Sequence, residues 1–113
     1  MTIEKNKIHL FGDELFSAWE GVQQIEPITN REKSISIEEA YQIQLRTISK
    51  RKLVGQNIVG KKIGITAKPV MEMLNVDQPD FGHLMSDMQY KDRDVLETDK
   101  FCQPKGEGDI AFV

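Results

Sequence analysis

The spacing of apolar residues changes at Gly55, and this change restricts the chain to folds that combine helices with a sheet. Before Gly55, apolar side chains recur three and four residues apart, as on one stripe of an α-helix. After it, residues 57–66 are too few and too rich in β-branched side chains for a helix, which predicts a strand. We therefore expect an α+β fold, with a boundary between residues 1–56, which are helical, and residues 57–113, which begin with a strand.

The first predicted helix covers residues 7–24. Its apolar stripe contains Ile8, Phe11, Leu15, Trp19 and Val22. The helix should end near Pro27, because proline restricts the preceding residue to extended conformations. The polar residues that follow Pro27 predict an ordered loop.

A second helix is predicted to begin at Ser36, which is spaced from Glu39 as in a capping box. Its predicted apolar face contains Ile37, Tyr41, Gln44, Leu45 and Ile48. The basic residues 50–52 suit a solvated helix C-terminus, and Gly55 can adopt the left-handed conformation that ends a helix. These signals define the helix at both ends.

Weaker signals follow the predicted strand. Thr66 is expected to cap a short helix that runs to about Leu74, with Pro69 in its first turn. Residues 76–82 are rich in turn formers and predict a loop, and residues 84–88 give no clear pattern. Residues 108–113 predict a strand that ends on apolar side chains, so we expect the natural polypeptide to continue.

The charge and the single cysteine exclude several classes of partner and location. The formal net charge is −3, so no overall positive field attracts a polyanion, and we expect no nucleic-acid partner. Cys102 cannot form an internal disulfide, and no secretory leader pattern opens the chain, which predicts a cytoplasmic protein. The apolar runs are far shorter than the roughly 20 residues that cross a bilayer, so no membrane association is expected.

The predicted strand carries an unusual arrangement of two glycines around a lysine. Alternation along a strand puts Gly60, Lys62 and Gly64 on one face. Glycine weakens a strand, so this pattern is typical of a site where something approaches the backbone closely, such as a small carboxylic acid. The alternative is a strand packed under a neighbouring helix, with Lys62 reaching into solvent. Both interpretations stay open from the pattern alone.

Three acidic residues are candidates for chemistry. Glu107 and Asp109 are separated by one residue, so an extended strand would aim both carboxylates at the same side. A hard divalent cation such as Mg²⁺ or Mn²⁺ would relieve their repulsion, whereas most such pairs simply face solvent. Asp80 lies in the predicted loop, where aspartates often bond to backbone amides and can also serve as an acid or base.

Three segments taken in order carry a family resemblance: residues 60–66, 75–82 and 103–113. Together they resemble the 2-oxopent-4-enoate (2-hydroxypenta-2,4-dienoate) hydratases, which belong with the 4-oxalocrotonate decarboxylases in the fumarylacetoacetate-hydrolase superfamily. The resemblance implies a helical N-terminal region, residues 1–56, that leads into a mixed β-roll, and residues 57–113 would be only the first part of this β-rich catalytic domain. The implied reaction is the addition of water to 2-hydroxypenta-2,4-dienoate, giving 4-hydroxy-2-oxopentanoate in the meta-cleavage degradation of aromatic compounds.

The resemblance also implies roles for particular residues. Glu107 and Asp109 would bind Mg²⁺ or Mn²⁺ together with a later carboxylate that this chain lacks, although the family usually has glutamate where Asp109 stands. Lys62 would neutralise the substrate carboxylate or steady the enolate, and Asp80 would handle a proton. Gly60 and Gly64 would lie beside the small-molecule dienoic acid.

Assembly and activity follow as further expectations. The family resemblance implies a homo-oligomer that can associate with 4-oxalocrotonate decarboxylase. The 113-residue chain by itself is expected to be inactive, because the third metal ligand and much of the pocket would be missing. Two other functions stay open: the decarboxylase reaction itself, or a non-catalytic module that docks through the Trp19 stripe and the last strand.

Overall fold

The computed structural model of the protein describes residues 4–113. The chain divides into two compact units, one running up to Gly55 with Leu96–Pro104, the other made of Gln56–Val95 and Lys105–Val113. The predicted domain division at residues 56 and 57 stays a prediction. The helices are α1 (Lys5–Glu20), α2 (Ile28–Arg31), α3 (Ile37–Leu53) and α4 (Lys68–Met73). The strands are β1 (Ile58–Gly64), β2 (Asp80–Met85) and β3 (Ala111–Phe112), and single 3-10 turns cover Ser86–Met88 and Thr98–Lys100.

Helix α1 carries the core of the helical unit but ends earlier than predicted. Ile8 and Phe11 are buried as the stripe predicts, and Phe16 is buried as well. The prediction is wrong at Val22, which lies beyond the helix with a positive φ of 51°. The loop predicted after Pro27 is also wrong in part, because α2 forms a single helical turn there.

Helix α3 begins at the predicted capping box. The Glu39 amide donates to Oγ of Ser36 at 3.1 Å, and the Ser36 amide donates to Oε1 of Glu39 at 3.0 Å. The helix ends just before Gly55, which has a φ of 95° as the stop signal predicts. Cap contacts join residues a few positions apart, so the sequence shows them directly.

The buried face of α3 differs from the predicted one. Ile48 is buried as predicted, but Ile37 and Leu45 are 54% and 53% exposed, and Ile43, which was not predicted, is buried. The reason is the close packing of α1 near Gly12, whose carbonyl oxygen accepts a 2.9 Å hydrogen bond from Oγ1 of Thr47. The position of α1 therefore decides which stripe of α3 is covered.

The basic end of α3 is only partly solvated, which corrects the prediction for residues 50–52. Arg51 is 8% exposed, and its guanidinium carbon lies 3.9 Å from the centroid of the Trp19 ring. Nζ of Lys50 lies 5.7 Å from the centroid of the Phe16 ring. These are cation–π contacts, and they attach the end of α3 to the aromatic side chains of α1.

The second unit is built on a three-stranded antiparallel sheet in the order β2-β1-β3. Strand β1 lies where the β-branched run predicts it, and ends before Ile65, whose φ is 56°. Two other predictions are wrong: residues 80–82 belong to β2 rather than a loop, and β3 is limited to Ala111–Phe112. Aspartate and glycine are poor strand formers, so their place in β2 depends on pairing with β1.

Helix α4 forms close to its predicted place. Its N-cap is Ala67 rather than Thr66, and Pro69 lies in the first turn as predicted. Within residues 4–113, no helix is both long enough and apolar enough to cross a membrane.

Candidate active site

One face of the sheet gathers most of the predicted site residues. Strand alternation places Gly60, Lys62 and Gly64 on a common face of β1. In the register with β2, Lys62 lies opposite Gly82 and Gly64 lies opposite Asp80. Residues directly opposite each other in an antiparallel pair share a face, so Asp80 belongs to the same side as Lys62.

Strand β3 adds the acidic residue that contacts the lysine. Lys62 pairs with Ala111 across β1 and β3, and Asp109 precedes Ala111 by two residues. Nζ of Lys62 lies 3.0 Å from Oδ2 of Asp109. The other carboxylate oxygen of Asp109 accepts a 2.9 Å hydrogen bond from the Ile110 amide. The structure thus brings the predicted lysine and one predicted metal ligand into direct contact.

Mutual stabilisation of charge shifts the pKa of both partners. The hydrogen bond with Asp109 raises the pKa of Lys62, with smaller upward contributions from the charges of Asp109, Glu107 and Asp80 and an opposing effect of partial burial. The Lys62 ammonium, followed by the Ile110 amide, lowers the pKa of Asp109. Lys62 is therefore held as a cation beside three carboxylates at neutral pH.

The glycines of this face have different neighbours. A Cβ atom at Gly60 would lie 2.6 Å from the Phe112 carbonyl oxygen, so the backbone of β3 makes the close approach there. A Cβ atom at Gly64 would meet Cε of Lys62 at 4.0 Å, an ordinary van der Waals distance. Contact of Gly60 and Gly64 with a substrate stays a prediction. The close neighbour at Gly60 is the backbone of strand β3, and not a helix as in the alternative interpretation.

The acidic pair at residues 107 and 109 does not have the strand geometry predicted for it. Both residues lie in irregular backbone before β3. Their carboxylate oxygens are the donor type that Mg²⁺ and Mn²⁺ prefer, so the pair fits a hard divalent cation in its chemistry. Across residues 4–113, no group of three or more His, Cys, Asp or Glu side chains is arranged to hold a metal ion. The described chain supplies two candidate ligands at most.

Comparison with known proteins gives a consistent set of relatives. The chain is 42% identical to a 2-hydroxypent-2,4-dienoate hydratase of Pseudomonas putida over 112 residues, which is 98% of this chain and 50% of the relative. It is 39% identical to a 2-hydroxyhexa-2,4-dienoate hydratase of Comamonas testosteroni, over 97% of this chain and 42% of the relative. No family model matches the chain.

A solved structure shares the fold. The 4-oxalocrotonate decarboxylase from Pseudomonas putida G7, complexed with magnesium and adipate, matches with a TM-score of 0.72 at 24% sequence identity. The match covers 75% of this chain and 32% of that chain. The likeness shows the fold alone, and it confirms the predicted fold class of helices followed by the start of a fumarylacetoacetate-hydrolase-like β-roll.

The chain therefore has the fold of the matching part of this decarboxylase. Over nearly its whole length the chain is similar to the 2-hydroxypenta-2,4-dienoate hydratases, which confirms the resemblance that its three segments predict. It spans about half the length of the curated relatives it matches.

Sequence reasoning missed one residue of this face. Gly82 was assigned to a turn, yet it lies in β2 directly opposite Lys62. The sequence carries no signal for this pairing, because the register between β1 and β2 joins residues that are far apart along the chain.

Proposed function

We propose that this chain is part of a hydro-lyase that adds water to 2-hydroxypenta-2,4-dienoate and forms 4-hydroxy-2-oxopentanoate. The observation that carries the proposal is the 3.0 Å contact between Lys62 and Asp109, which joins a candidate substrate-binding cation to a candidate metal ligand. The hydratase names of the relatives support the choice of reaction. Such a reaction needs a site that binds a carboxylate and controls protons on the adjoining carbon chain.

Lys62 is proposed to bind the acidic end of the substrate. Its ammonium group has three hydrogens, and the contact with Oδ2 of Asp109 uses one of them. The side chain is 39% exposed, so the remaining hydrogens can reach a ligand above the sheet. Lys62 would neutralise the C1 carboxylate or steady the enolate, and this charge stabilisation lowers the barrier to hydration.

Asp80 is proposed as the group that moves a proton. It opens β2 opposite Gly64 and is exposed, which leaves its carboxylate accessible to a substrate on the Lys62 face. Its negative charge contributes to the raised pKa of Lys62, which places it within electrostatic reach of the lysine. An acid or base must lie close to the reacting carbon, and Asp80 shares that face.

Glu107 and Asp109 are proposed to hold a divalent cation, with Mg²⁺ or Mn²⁺ as the native ion. The 4-oxalocrotonate decarboxylase that shares the fold has been solved once with magnesium and once with calcium, which supports a divalent cation here. When bound, the ion supplies Lewis-acid polarisation of the substrate oxygens. The third carboxylate of the site would come from polypeptide outside these 113 residues.

A chimeric enzyme tests the proposed function. The segment of the Pseudomonas putida hydratase that this chain matches is replaced by this chain, and the loss of 2-hydroxypenta-2,4-dienoate is followed with and without Mg²⁺. We expect hydration that stops in excess chelator and falls at least tenfold in the Lys62→Met form, which corresponds to about 1.4 kcal/mol of transition-state stabilisation. Lys61→Met, on the opposite face of β1, is the matched control.

The same chimera distinguishes the alternatives. Turnover that persists in excess chelator contradicts the metal-dependent mechanism. Release of CO₂ from 4-oxalocrotonate without hydration of the dienoate would instead identify the decarboxylase reaction. A folded chimera with neither activity favours the non-catalytic docking module. Homo-oligomer assembly and association with a decarboxylase stay predictions, to be checked by the mass of the purified chimera alone and after mixing.

A further inference from the structure

Gly82 lies directly beneath the side chain of Lys62. The two residues are opposite each other in the antiparallel pairing of β1 and β2. A Cβ atom built on Gly82 would lie 3.3 Å from Cγ of Lys62 and 3.8 Å from Cδ. The first distance is shorter than the optimal separation of about 3.5–4.0 Å between carbon atoms. The first carbons of the lysine stem therefore occupy part of the space that a side chain at position 82 would fill.

The backbone of β2 does not itself require a glycine at this position. Among the described glycines, only Gly55 has a positive φ, so the conformation of Gly82 is one that other residues can adopt. Glycine inside a strand costs stability relative to residues with a side chain. The contact that the structure shows at this position is with Lys62, so the space left for the lysine stem explains the glycine.

We propose that Gly82 is a positioning residue of the active site, because its missing side chain leaves room for the Lys62 stem in the rotamer that brings the ammonium group to Asp109. Alanine would push the stem outward by a few tenths of an ångström, and a branched residue would force it into another rotamer. The catalytic meaning of this position rests on the proposed function of Lys62, whereas its effect on the ion pair does not.

The test uses this chain in the forms Gly82→Ala and Gly82→Val. The ¹⁵N resonance of the Lys62 ammonium group and its exchange with water report the contact with Asp109, and Asp109→Asn defines the signature of its loss. We expect Gly82→Val to reproduce the Asp109→Asn signature and Gly82→Ala to move part of the way. Gly64→Ala is the matched control, because a Cβ atom there meets Lys62 only at 4.0 Å, and we expect the wild-type resonance.

Stability measurements separate positioning from a general need for glycine. If space for Lys62 is the reason for Gly82, any destabilisation in Gly82→Val should disappear when Lys62→Ala is added, because the clash is then gone. The proposal is overturned if Gly82→Val keeps the wild-type ammonium signal, if Gly64→Ala changes it equally, or if the double variant stays as unstable as Gly82→Val alone.

Failure of this inference and failure of the proposed function give different results. Titration with Mn²⁺ alone tests the acidic pair. If Glu107→Gln binds Mn²⁺ as well as the wild type, the proposed metal site is contradicted, but the conclusion about Gly82 is not affected. Conversely, a wild-type ¹⁵N resonance of the Lys62 ammonium group in Gly82→Val contradicts the positioning role of Gly82, but it does not affect the proposed metal site.

Discussion

Lys62 and Asp109 form an ion pair of 3.0 Å although α4 and β2 lie between them along the chain. The lysine holds one oxygen of the carboxylate, and the Ile110 amide holds the other. Asp109 is also a candidate metal ligand, so Lys62 and a divalent cation are attracted to the same carboxylate. In this structure, Lys62 therefore neutralises part of the negative charge of Asp109 that would otherwise attract a metal ion.

Replacing Lys62 by methionine should tighten the binding of Mn²⁺ to the chain. Both side chains of the pair are more than a third exposed, so solvent screening keeps the pair weak, and we expect the affinity for Mn²⁺ to rise by roughly a few-fold at most. Isothermal titration or the electron paramagnetic resonance of free Mn²⁺ measures the change. Lys61→Met removes the same charge from the other face of β1 and should have a smaller effect. Equal effects of both variants would show that the ion pair does not compete with the metal.

Gly12→Ala should destabilise the helical unit even though alanine favours a helix. A Cβ atom at Gly12 would clash with Cγ of Arg46 and lie 2.6 Å from its Cβ, and the Cβ of Arg46 cannot move without the backbone. Overpacking of this kind costs about 1–3 kcal/mol after the structure adjusts. Gly21→Ala is the control, because its nearest neighbour is 3.4 Å away and its φ is −85°. Denaturant unfolding measures both, and equal stability of the two variants would contradict the close helix contact.

Ser36→Ala should lower the free energy of unfolding by about 1 kcal/mol, because it removes the hydroxyl that accepts a hydrogen bond from the Glu39 amide. Ser49→Ala is matched in chemistry but lies exposed within α3, and we expect a change within about 0.5 kcal/mol. The amide of Glu39 should also exchange faster with solvent in Ser36→Ala. An unchanged exchange rate would mean that the cap does not form in solution.

Acid should weaken the helical unit through the ion pair of Asp13 and Arg46. Arg46 donates to both oxygens of Asp13 at 2.7 and 3.2 Å, and this contact lowers the pKa of Asp13. Because the pKa of Asp13 is lower in the folded chain than in the unfolded chain, the ionised carboxylate stabilises the fold at pH values above the ordinary carboxyl pKa near 4. This stabilisation is lost as the pH falls through the lowered pKa of the folded chain.

The measurement is the free energy of unfolding between about pH 5 and pH 2, where Asp13→Asn should show a shallower decline than the wild type. Glu97→Gln serves as the control, because Glu97 and its partner Lys100 are about two-thirds exposed (65% and 67%) and their attraction is well screened. A wild-type slope in Asp13→Asn would rule out the ion pair as a source of acid sensitivity.

The sequence by itself determined the local features of this protein. The cap at Ser36, the stop at Gly55 and the strand around Lys62 depend on residues a few positions apart, so their patterns are visible along the chain. The common face of Gly60, Lys62 and Gly64 follows from alternation in a strand. The three segments that carry the family resemblance are equally local, and the relatives confirm that resemblance.

Only the tertiary structure decided the features that join distant residues. The buried stripe of α3 was set by where α1 packs, so Ile43 is covered while Ile37 is exposed. The register of β2 on β1 placed Gly82 under Lys62, and the pairing of β3 brought Asp109 to the ammonium group. No local pattern encodes these contacts, because hydrogen bonding between strands and packing between helices are interactions of surfaces that meet only after the chain has folded.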